Sequence, residues 1–232
     1  MSNHGKKYRN AAQLVVQKTQ LSASDGLKKV KELSFAKFDE SVDVSVNLGI
    51  DPAKGEQAVR GSLVLPHSRG KKTRVIVFAK GDQAEAAKRA GADYVGADDL
   101  VEKISGGWMD FEFAVATPDL MGLVGKLAKQ LGPRGLLPNK KLGTVALEVG
   151  PVVEELKKGQ VFFKNDKQGL VHFSLGRVSF DVNNLLDNLV AFMKALASSK
   201  PSSSKGRFIK KVTLTSTMGV GIQVNPEDFL KV

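Results

Sequence analysis

Two long stretches, one near each end of the chain, alternate apolar residues with small polar ones. In residues 41–50 every second position is Val, Leu or Ile, and Ser, Asp, Asn and Gly stand between them. Residues 212–224, VTLTSTMGVGIQV, repeat the pattern, with Thr, Gly and one Gln between positions that are mostly apolar. A period of two predicts strands that bury one face and leave the other open. The open face would consist mainly of short polar side chains.

The middle of the chain has a different pattern. RVIVFAKG is a short continuous apolar run, which is typical of a strand covered on both faces. It is followed by the helix pattern DQAEAAKRAG, and then by DYV, ADDLVEKI and FAVATP, which repeat strand and helix in turn. PDLMGLVGKLAKQLG, with Pro at its start and Gly at its end, predicts one further helix. This order of elements indicates a layered α/β unit.

The first pattern returns after Gly159. VFFKNDKQGLVHFSLG predicts a hairpin that turns at residues 165–169, and DVNNLLDNLVAFMKALASSKP predicts an amphipathic helix. Near the N-terminus, SDGLKKVKEL predicts a helix capped by Ser24 or Asp25. We therefore expect a mixed fold of two domains. Residues 1–66 and 160–232 would form an α+β domain of split β-α-β type, and residues 67–159 an inserted, Rossmann-like, three-layer α/β domain.

The charge of the chain points to a polyanionic partner. The formal net charge is +11, and residues 200–211, KPSSSKGRFIKK, hold five basic residues and no acidic one. Such a balance favours nucleic acid over membrane surfaces. No apolar run is long enough to cross a membrane, and the basic N-terminus lacks the apolar segment of a signal peptide. The absence of Cys is compatible with a reducing cytoplasm.

The sequence shows no convincing catalytic pattern. His4, His67 and His172 are scattered, and none has a second ligand at the spacing of a metal site. The glycine-rich stretches GLVGKL and GKKT do not match a phosphate-binding loop. We expect no catalytic residue, no cofactor and no metal, and an enzyme is the minority interpretation. A nucleotide-dependent enzyme that uses the α/β domain remains the alternative to an RNA-binding protein.

One connector between a helix and a strand is unusually long and basic. LGPRGLLPNKKLGT, residues 131–144, contains Arg134, Lys140 and Lys141 and no acidic residue. Its lysines either point into solvent or contact a phosphate backbone. Long loops in compact domains usually have a function, so we interpret it as a secondary basic loop for RNA.

Several sequence blocks occur together and in order. They include KFDESVDV, LGIDP, VRGSLVLPH, AGADYVG, VATPDLMG, LGPRGLLPN, FKNDKQGLVH and TSTMG. With them the chain resembles the bacterial form of the large-subunit ribosomal protein number one family over nearly its whole length. The resemblance implies a structural protein of the mobile side stalk in the large (50S) subunit, located in the cytoplasm and monomeric when free. It also implies binding to 23S rRNA, help in releasing deacylated exit-site tRNA, and repression of its own operon through an mRNA site that mimics the rRNA site.

The resemblance also implies the residues of the RNA face. They come from the segment before the first strand, from the 160–176 region and from the 212–224 stretch: Lys37, Phe38, Glu40, Ser41, Lys167, His172, Thr215, Thr217, Met218 and Gly219. The family usually has Thr where this chain has Ser41 and Ser216, so the hydroxyl is kept.

Met218 is the one residue for which two interpretations compete. By parity it belongs to the apolar set of 212–224, which favours a buried Met in a tight bend. The resemblance instead implies an exposed Met that packs against RNA.

Overall fold

The structure is a computed structural model that describes residues 5–15, 20–70, 73–204 and 206–229. It contains both helices and strands, which confirms the predicted mixed α/β class. The helices are α1 (Lys6–Gln13), α2 (Ala23–Glu32), α3 (Asp82–Arg89), α4 (Asp98–Ser105), α5 (Met121–Gly125), α6 (Ala128–Arg134), α7 (Val149–Lys157) and α8 (Val182–Ser198). The strands are β1 (Ser41–Leu48), β2 (Arg60–Val64), β3 (Val75–Phe78), β4 (Tyr94–Gly96), β5 (Phe113–Ala116), β6 (Gln160–Lys164), β7 (Leu170–Arg177), β8 (Ile209–Ser216) and β9 (Ile222–Val224).

The chain forms two compact units. The first comprises residues 1–70 and 162–232, and the second comprises residues 71–161. The first unit is built on a four-stranded sheet in the order β7-β1-β8-β9, in which each neighbouring pair is antiparallel. β2 and β6 form a separate two-stranded sheet.

One face of the four-stranded sheet is buried. Burial alternates without a fault along β1, as predicted, and Val42, Val44 and Val46 are fully buried. α2 and α8 pack on the elements of this sheet, and Leu185 and Leu189 of α8 are fully buried. The opposite face carries the small polar side chains.

The 212–224 stretch is a hairpin rather than one long strand. β8 ends at Ser216, a turn follows, and β9 resumes at Ile222 and pairs with β8. The turn breaks the two-residue parity, so Met218 is not buried with Val212 and Leu214 but is 53% exposed. The interpretation of Met218 as a core residue is therefore wrong.

The predicted hairpin of residues 161–176 is wrong in its pairing. β6 and β7 are joined by a short turn, but β7 pairs with β1 and β6 pairs with β2. Apart from an isolated bridge between Asn165 and Val171, the two strands diverge into different sheets. Inside the turn, the Asp166 carboxylate accepts hydrogen bonds from the backbone N–H groups of Gln168 and Leu170, both at 2.8 Å.

The second unit has a parallel sheet in the order β4-β3-β5. All four residues of β3 are buried, as its continuous apolar run predicts. Ile76 and Phe78 pack in one cluster with Leu100 and Ile104 of α4 and Leu131 of α6. α7 packs against β3 and β5 and also against α3.

Two helix boundaries differ from the sequence predictions. The segment 118–132 is not one helix, because α5 ends at Gly125 and α6 begins at Ala128 and runs past Gly132 to Arg134. Gly135, with φ +71°, closes α6: its N–H donates to Gly132 O, and the N–H of Leu136 donates to Leu131 O. The cap of α2 is Ser22 rather than Ser24 or Asp25, and its hydroxyl accepts from the N–H of Asp25 at 3.2 Å.

Candidate nucleic-acid interface

Two segments far apart in sequence meet at one end of the four-stranded sheet. Because β1 and β8 are antiparallel, the start of β1 lies beside the end of β8. The N–H of Ser41 donates to Thr217 Oγ1 at 2.9 Å, and the N–H of Thr217 donates to Ser41 O at 3.1 Å. These bonds fix the turn 217–219 beside the loop 35–40. Both segments contain residues that the sequence analysis assigned to the RNA face.

The two segments each expose one large apolar side chain. Phe38 is 55% exposed and Met218 is 53% exposed. Exposed apolar side chains cost little individually, but two on segments tied together provide a surface on which a ribose or base can pack. Lys37, beside Phe38, is also exposed.

Glu40 lies behind this surface rather than on it. Its side chain is only 1% exposed, and its two carboxylate oxygens accept separate hydrogen bonds. The N–H of Ala36 donates to Oε1 at 2.8 Å, and the N–H of Met218 donates to Oε2 at 3.0 Å. This geometry therefore does not support a direct contact between Glu40 and RNA. Glu40 is a positioning residue that clamps the loop to the turn.

The hydrogen bonds that Glu40 accepts from the loop and the turn form a clamp, and they favour the ionised form of its side chain. Burial on its own would raise the pKa of Glu40. The Ser216 hydroxyl and the backbone N–H groups of Met218, Ala36 and Phe35 outweigh burial and lower the pKa from its ordinary value. The clamp is thus charged at neutral pH.

Gly219 is closely packed inside the turn. A Cβ atom at this position would lie 2.3 Å from Ser216 Oγ, nearer than non-bonded atoms can approach. The N–H of Gly219 donates to Ser216 O at 3.1 Å, and the Thr215 hydroxyl donates to the same carbonyl at 2.9 Å. Thr215 and Gly219 therefore shape the turn that presents Thr217 and Met218.

A row of polar side chains crosses the open face of the sheet. The register aligns His172 of β7, Ser45 of β1, Thr213 of β8 and Gln223 of β9. Ser45 Oγ and His172 Nδ1 are 3.0 Å apart, so they share a hydrogen bond. The resemblance identified only His172 in this row. The strand parity of the sequence was the signal that pointed to the other three.

Lys167 lies at the far end of the same sheet. It is exposed in the turn before β7, whose first residue, Leu170, pairs with Asn47 near the end of β1. The six-residue step along β1 from Ser41 to Asn47 corresponds to about 20 Å. The predicted residues therefore do not form one point-like site. They mark the two ends and the middle of one elongated face.

The secondary basic loop belongs to the other unit and begins later than predicted. Arg134 is the last residue of α6 and is exposed, whereas Lys140 is exposed in a 3-10 turn, Lys140–Leu142. The side chain of Lys141 lies outside the described residues. The Thr144 hydroxyl braces the loop, because it accepts from the N–H of Asn139 at 2.8 Å.

Among the residues that the structure describes, no group of three His, Asp or Glu side chains is placed to hold a metal ion. Among the same residues, no helix is long and apolar enough to cross a membrane.

Removing the Thr217 hydroxyl tests the latch between the turn and β1. We expect Thr217→Val to weaken RNA binding by about fivefold, because the N–H of Ser41 loses an acceptor worth about 1 kcal/mol. Thr217→Ser keeps the hydroxyl and is the matched control, with near wild-type affinity. A filter-binding titration of all three proteins measures the effect. Equal affinities for Thr217→Val and Thr217→Ser would contradict a role for the latch.

The sequence matches the model of a known protein family. The model of the family described as "Ribosomal protein L1p/L10e family" matches residues 28–220. The matched range includes the loop 35–40, all of β1, the second unit and the turn 217–219. The match confirms the resemblance that the sequence blocks indicated. This chain belongs to the L1p/L10e family of ribosomal proteins, and its role is that of a large-subunit component that binds rRNA.

Proposed function

We propose that the chain binds 23S rRNA through the elongated face of its first unit and so forms the mobile side stalk of the 50S subunit. The observation that carries the proposal is the geometry of that face: a row of polar side chains crosses its middle, and exposed Phe38 and Met218 lie at one of its ends. Structured RNA is recognised largely by its shape, through 2′-hydroxyls, riboses and phosphates. Short hydroxyl side chains allow the sheet to approach these groups closely and to donate to or accept from a 2′-hydroxyl.

The ends of the face supply what the row lacks. Lys37 at one end and Lys167 at the other offer positive charge to phosphates. Phe38 and Met218 offer apolar surface to a ribose or base. Membership in a ribosomal protein family favours this structural role over the nucleotide-dependent enzyme.

A chemical footprint on 23S rRNA tests the proposal most directly. We expect the full chain to protect one contiguous segment of the rRNA, and protection to fall with rising salt as the phosphate contacts are screened. Absence of a specific footprint at low salt would refute binding to 23S rRNA.

We further propose that the same face binds the mRNA of the chain's own operon and represses its translation. If both RNAs use one site, Met218→Asp should weaken both by a similar factor, because a carboxylate placed against phosphate and ribose is repelled. We expect losses of at least about tenfold for each RNA. Val64→Asp, at another exposed apolar position of the first unit, controls for the added charge.

A competition titration measures whether one site serves both RNAs. The rRNA fragment should displace the mRNA leader and bind more tightly, so that repression begins only when rRNA sites are filled. Simultaneous binding of both RNAs, or an mRNA affinity untouched by Met218→Asp, would show that the sites differ.

The remaining parts of the proposal concern the second unit. The stalk helps deacylated tRNA to leave the exit site, and the basic loop with Arg134, Lys140 and Lys141 gives a secondary contact to a phosphate backbone. The protein acts on cytoplasmic ribosomes and is monomeric when free.

A triple Arg134→Ala, Lys140→Ala, Lys141→Ala variant should keep its rRNA footprint while exit-site tRNA dissociates more slowly from the ribosome. Unchanged tRNA dissociation would remove the loop from this role.

We also propose that the two units are domains, with the second inserted into the first between residues 66 and 160. A chain that joins residues 1–66 to 160–232 through a short Gly linker should then fold and keep most of the rRNA affinity. Circular dichroism and the same binding titration measure both properties. If that chain is folded but does not bind, while isolated residues 67–159 bind the same RNA, the assignment of the RNA face to the first domain is wrong.

A further inference from the structure

A groove of about 590 Å³ lies in the first unit beside the turn 217–219. Its lining includes Lys6, Lys7 and Tyr8 from the start of α1, Phe35 from the loop before β1, and Thr217 and Met218 from the turn. The first three of these residues are not among those that the family resemblance implies for the RNA face. The groove is large enough for a single ring system with its attached sugar, since ligand sites are typically about 300–1,000 Å³.

The chemistry of the groove is selective for charge. Two lysines line it, and none of the lining residues that the structure describes is acidic. Lys6 and Lys7 are both exposed, so their ammonium groups are accessible to an anion in solution. The other walls are two aromatic rings and a thioether, which provide a surface for a flat apolar ring. An occupant that carries both a flat ring and a phosphate matches these walls, and a nucleotide does so.

The groove is continuous with the RNA face. Thr217 and Met218 belong to both, because they form one wall of the groove and the end of the elongated face. An RNA strand bound to the face could therefore extend into the groove while staying in contact with the protein surface. A stacked base presents only its edge to such a groove, so the base that enters it has to be unstacked.

We propose that this groove holds one unstacked nucleotide of the bound RNA. Its base lies against Tyr8, Phe35 and Met218, and its flanking phosphates lie at Lys6 and Lys7. This inference rests on the proposed function, and it adds the α1 residues as a part of the interface that captures an unpaired base.

Two variants of the full chain test the two halves of the contact. Lys6→Ala with Lys7→Ala removes both charges, and we expect the magnitude of the salt slope of RNA binding to fall by about 1.4, at about 0.7 for each phosphate contact. Lys28→Ala with Lys29→Ala makes the same charge change on α2, outside the groove, and should leave the slope near that of wild type. Tyr8→Leu keeps an apolar side chain but removes the ring, and should weaken binding about tenfold.

The RNA probe is a 23S rRNA fragment from the protected segment, synthesised with an abasic site at each unpaired position in turn. At one position the abasic site should weaken binding to the wild-type chain about tenfold and weaken binding to Tyr8→Leu no further. If the loss caused by the abasic site and the loss caused by Tyr8→Leu are additive at every position of the RNA, the inference is overturned. A salt slope for the α1 variant that equals that of the α2 control would overturn it as well.

The experiment separates this inference from the proposed function. If the wild-type chain does not bind the rRNA fragment specifically, both the proposed function and the groove assignment fail. If it binds and the footprint is present, but neither the slope nor the abasic series singles out the groove, only the groove assignment fails.

Discussion

Gly219→Val weakens rRNA binding by about a hundredfold or more, which corresponds to at least about 2.7 kcal/mol of binding free energy. The reason lies inside the protein rather than at the RNA. A Cβ at this position would meet Ser216 Oγ at 2.3 Å, and Val adds two methyl groups to it, so the Ser216 side chain has to rotate and the turn has to open to admit the larger side chain. Opening the turn displaces Thr217 and Met218 together. The measurement is a titration of the rRNA fragment, with circular dichroism to confirm that the fold is kept.

The clash at Gly219 also predicts a rescue. Gly219→Ala should lose much of the affinity, and adding Ser216→Ala should restore part of it, because the nearest remaining side-chain atom would then be Cβ of residue 216 at 3.4 Å. Gly55→Val is the control, because a Cβ at Gly55 meets nothing within 4 Å. Wild-type affinity in a folded Gly219→Val protein would contradict the steric argument.

Glu40→Ala lowers the free energy of unfolding by about 3 kcal/mol, because the N–H groups of Ala36 and Met218 both lose a charged acceptor. We also expect the RNA affinity to fall, since the loop and the turn are no longer held together. Urea denaturation measures the stability and the binding titration measures the affinity. Asp187→Ala, which removes a carboxylate at an exposed position on α8, serves as the control and should be close to neutral.

The same clamp gives the protein a specific sensitivity to acid. Because the pKa of Glu40 is lowered in the folded protein, its stabilising effect is fully present above the ordinary carboxyl value of 4.5. The effect is lost as the pH falls through the lowered folded pKa. Glu40→Gln keeps the shape of the side chain but does not titrate. The difference in unfolding free energy between wild type and Glu40→Gln should therefore shrink below about pH 4.5. A difference that stays constant from pH 7 to pH 3 would contradict this account of Glu40.

Local patterns predicted those parts of the fold that depend on local chemistry. The alternation of Val42, Val44 and Val46 predicted the buried face of β1, and the apolar run of β3 predicted a strand buried on both faces. Both features arise because side-chain direction follows the backbone period.

The structure departs from the sequence predictions where partners are distant in the chain. Glu40 is charged and stands in a polar segment, yet it is buried, and one of its carboxylate oxygens accepts from an N–H group 178 residues away. Met218 follows the apolar parity of β8, but the turn ends that parity two residues earlier. β6 and β7 are consecutive, yet each finds its partner in the N-terminal part of the chain. No local pattern contains these pairings.

The position of β1 in the sheet has a consequence for the newly made protein. Both neighbours of β1 come much later in the chain, since Ser41 pairs with Arg177 and Val42 pairs with Ser216. While the chain emerges from the ribosome, β1 therefore waits without a partner on either side, although the strands of the second unit are already complete. The turn 217–219 forms only after β8 has been made. A nascent chain thus completes this face of the sheet near the end of its own translation, so rRNA binding through it is open only to nearly finished molecules.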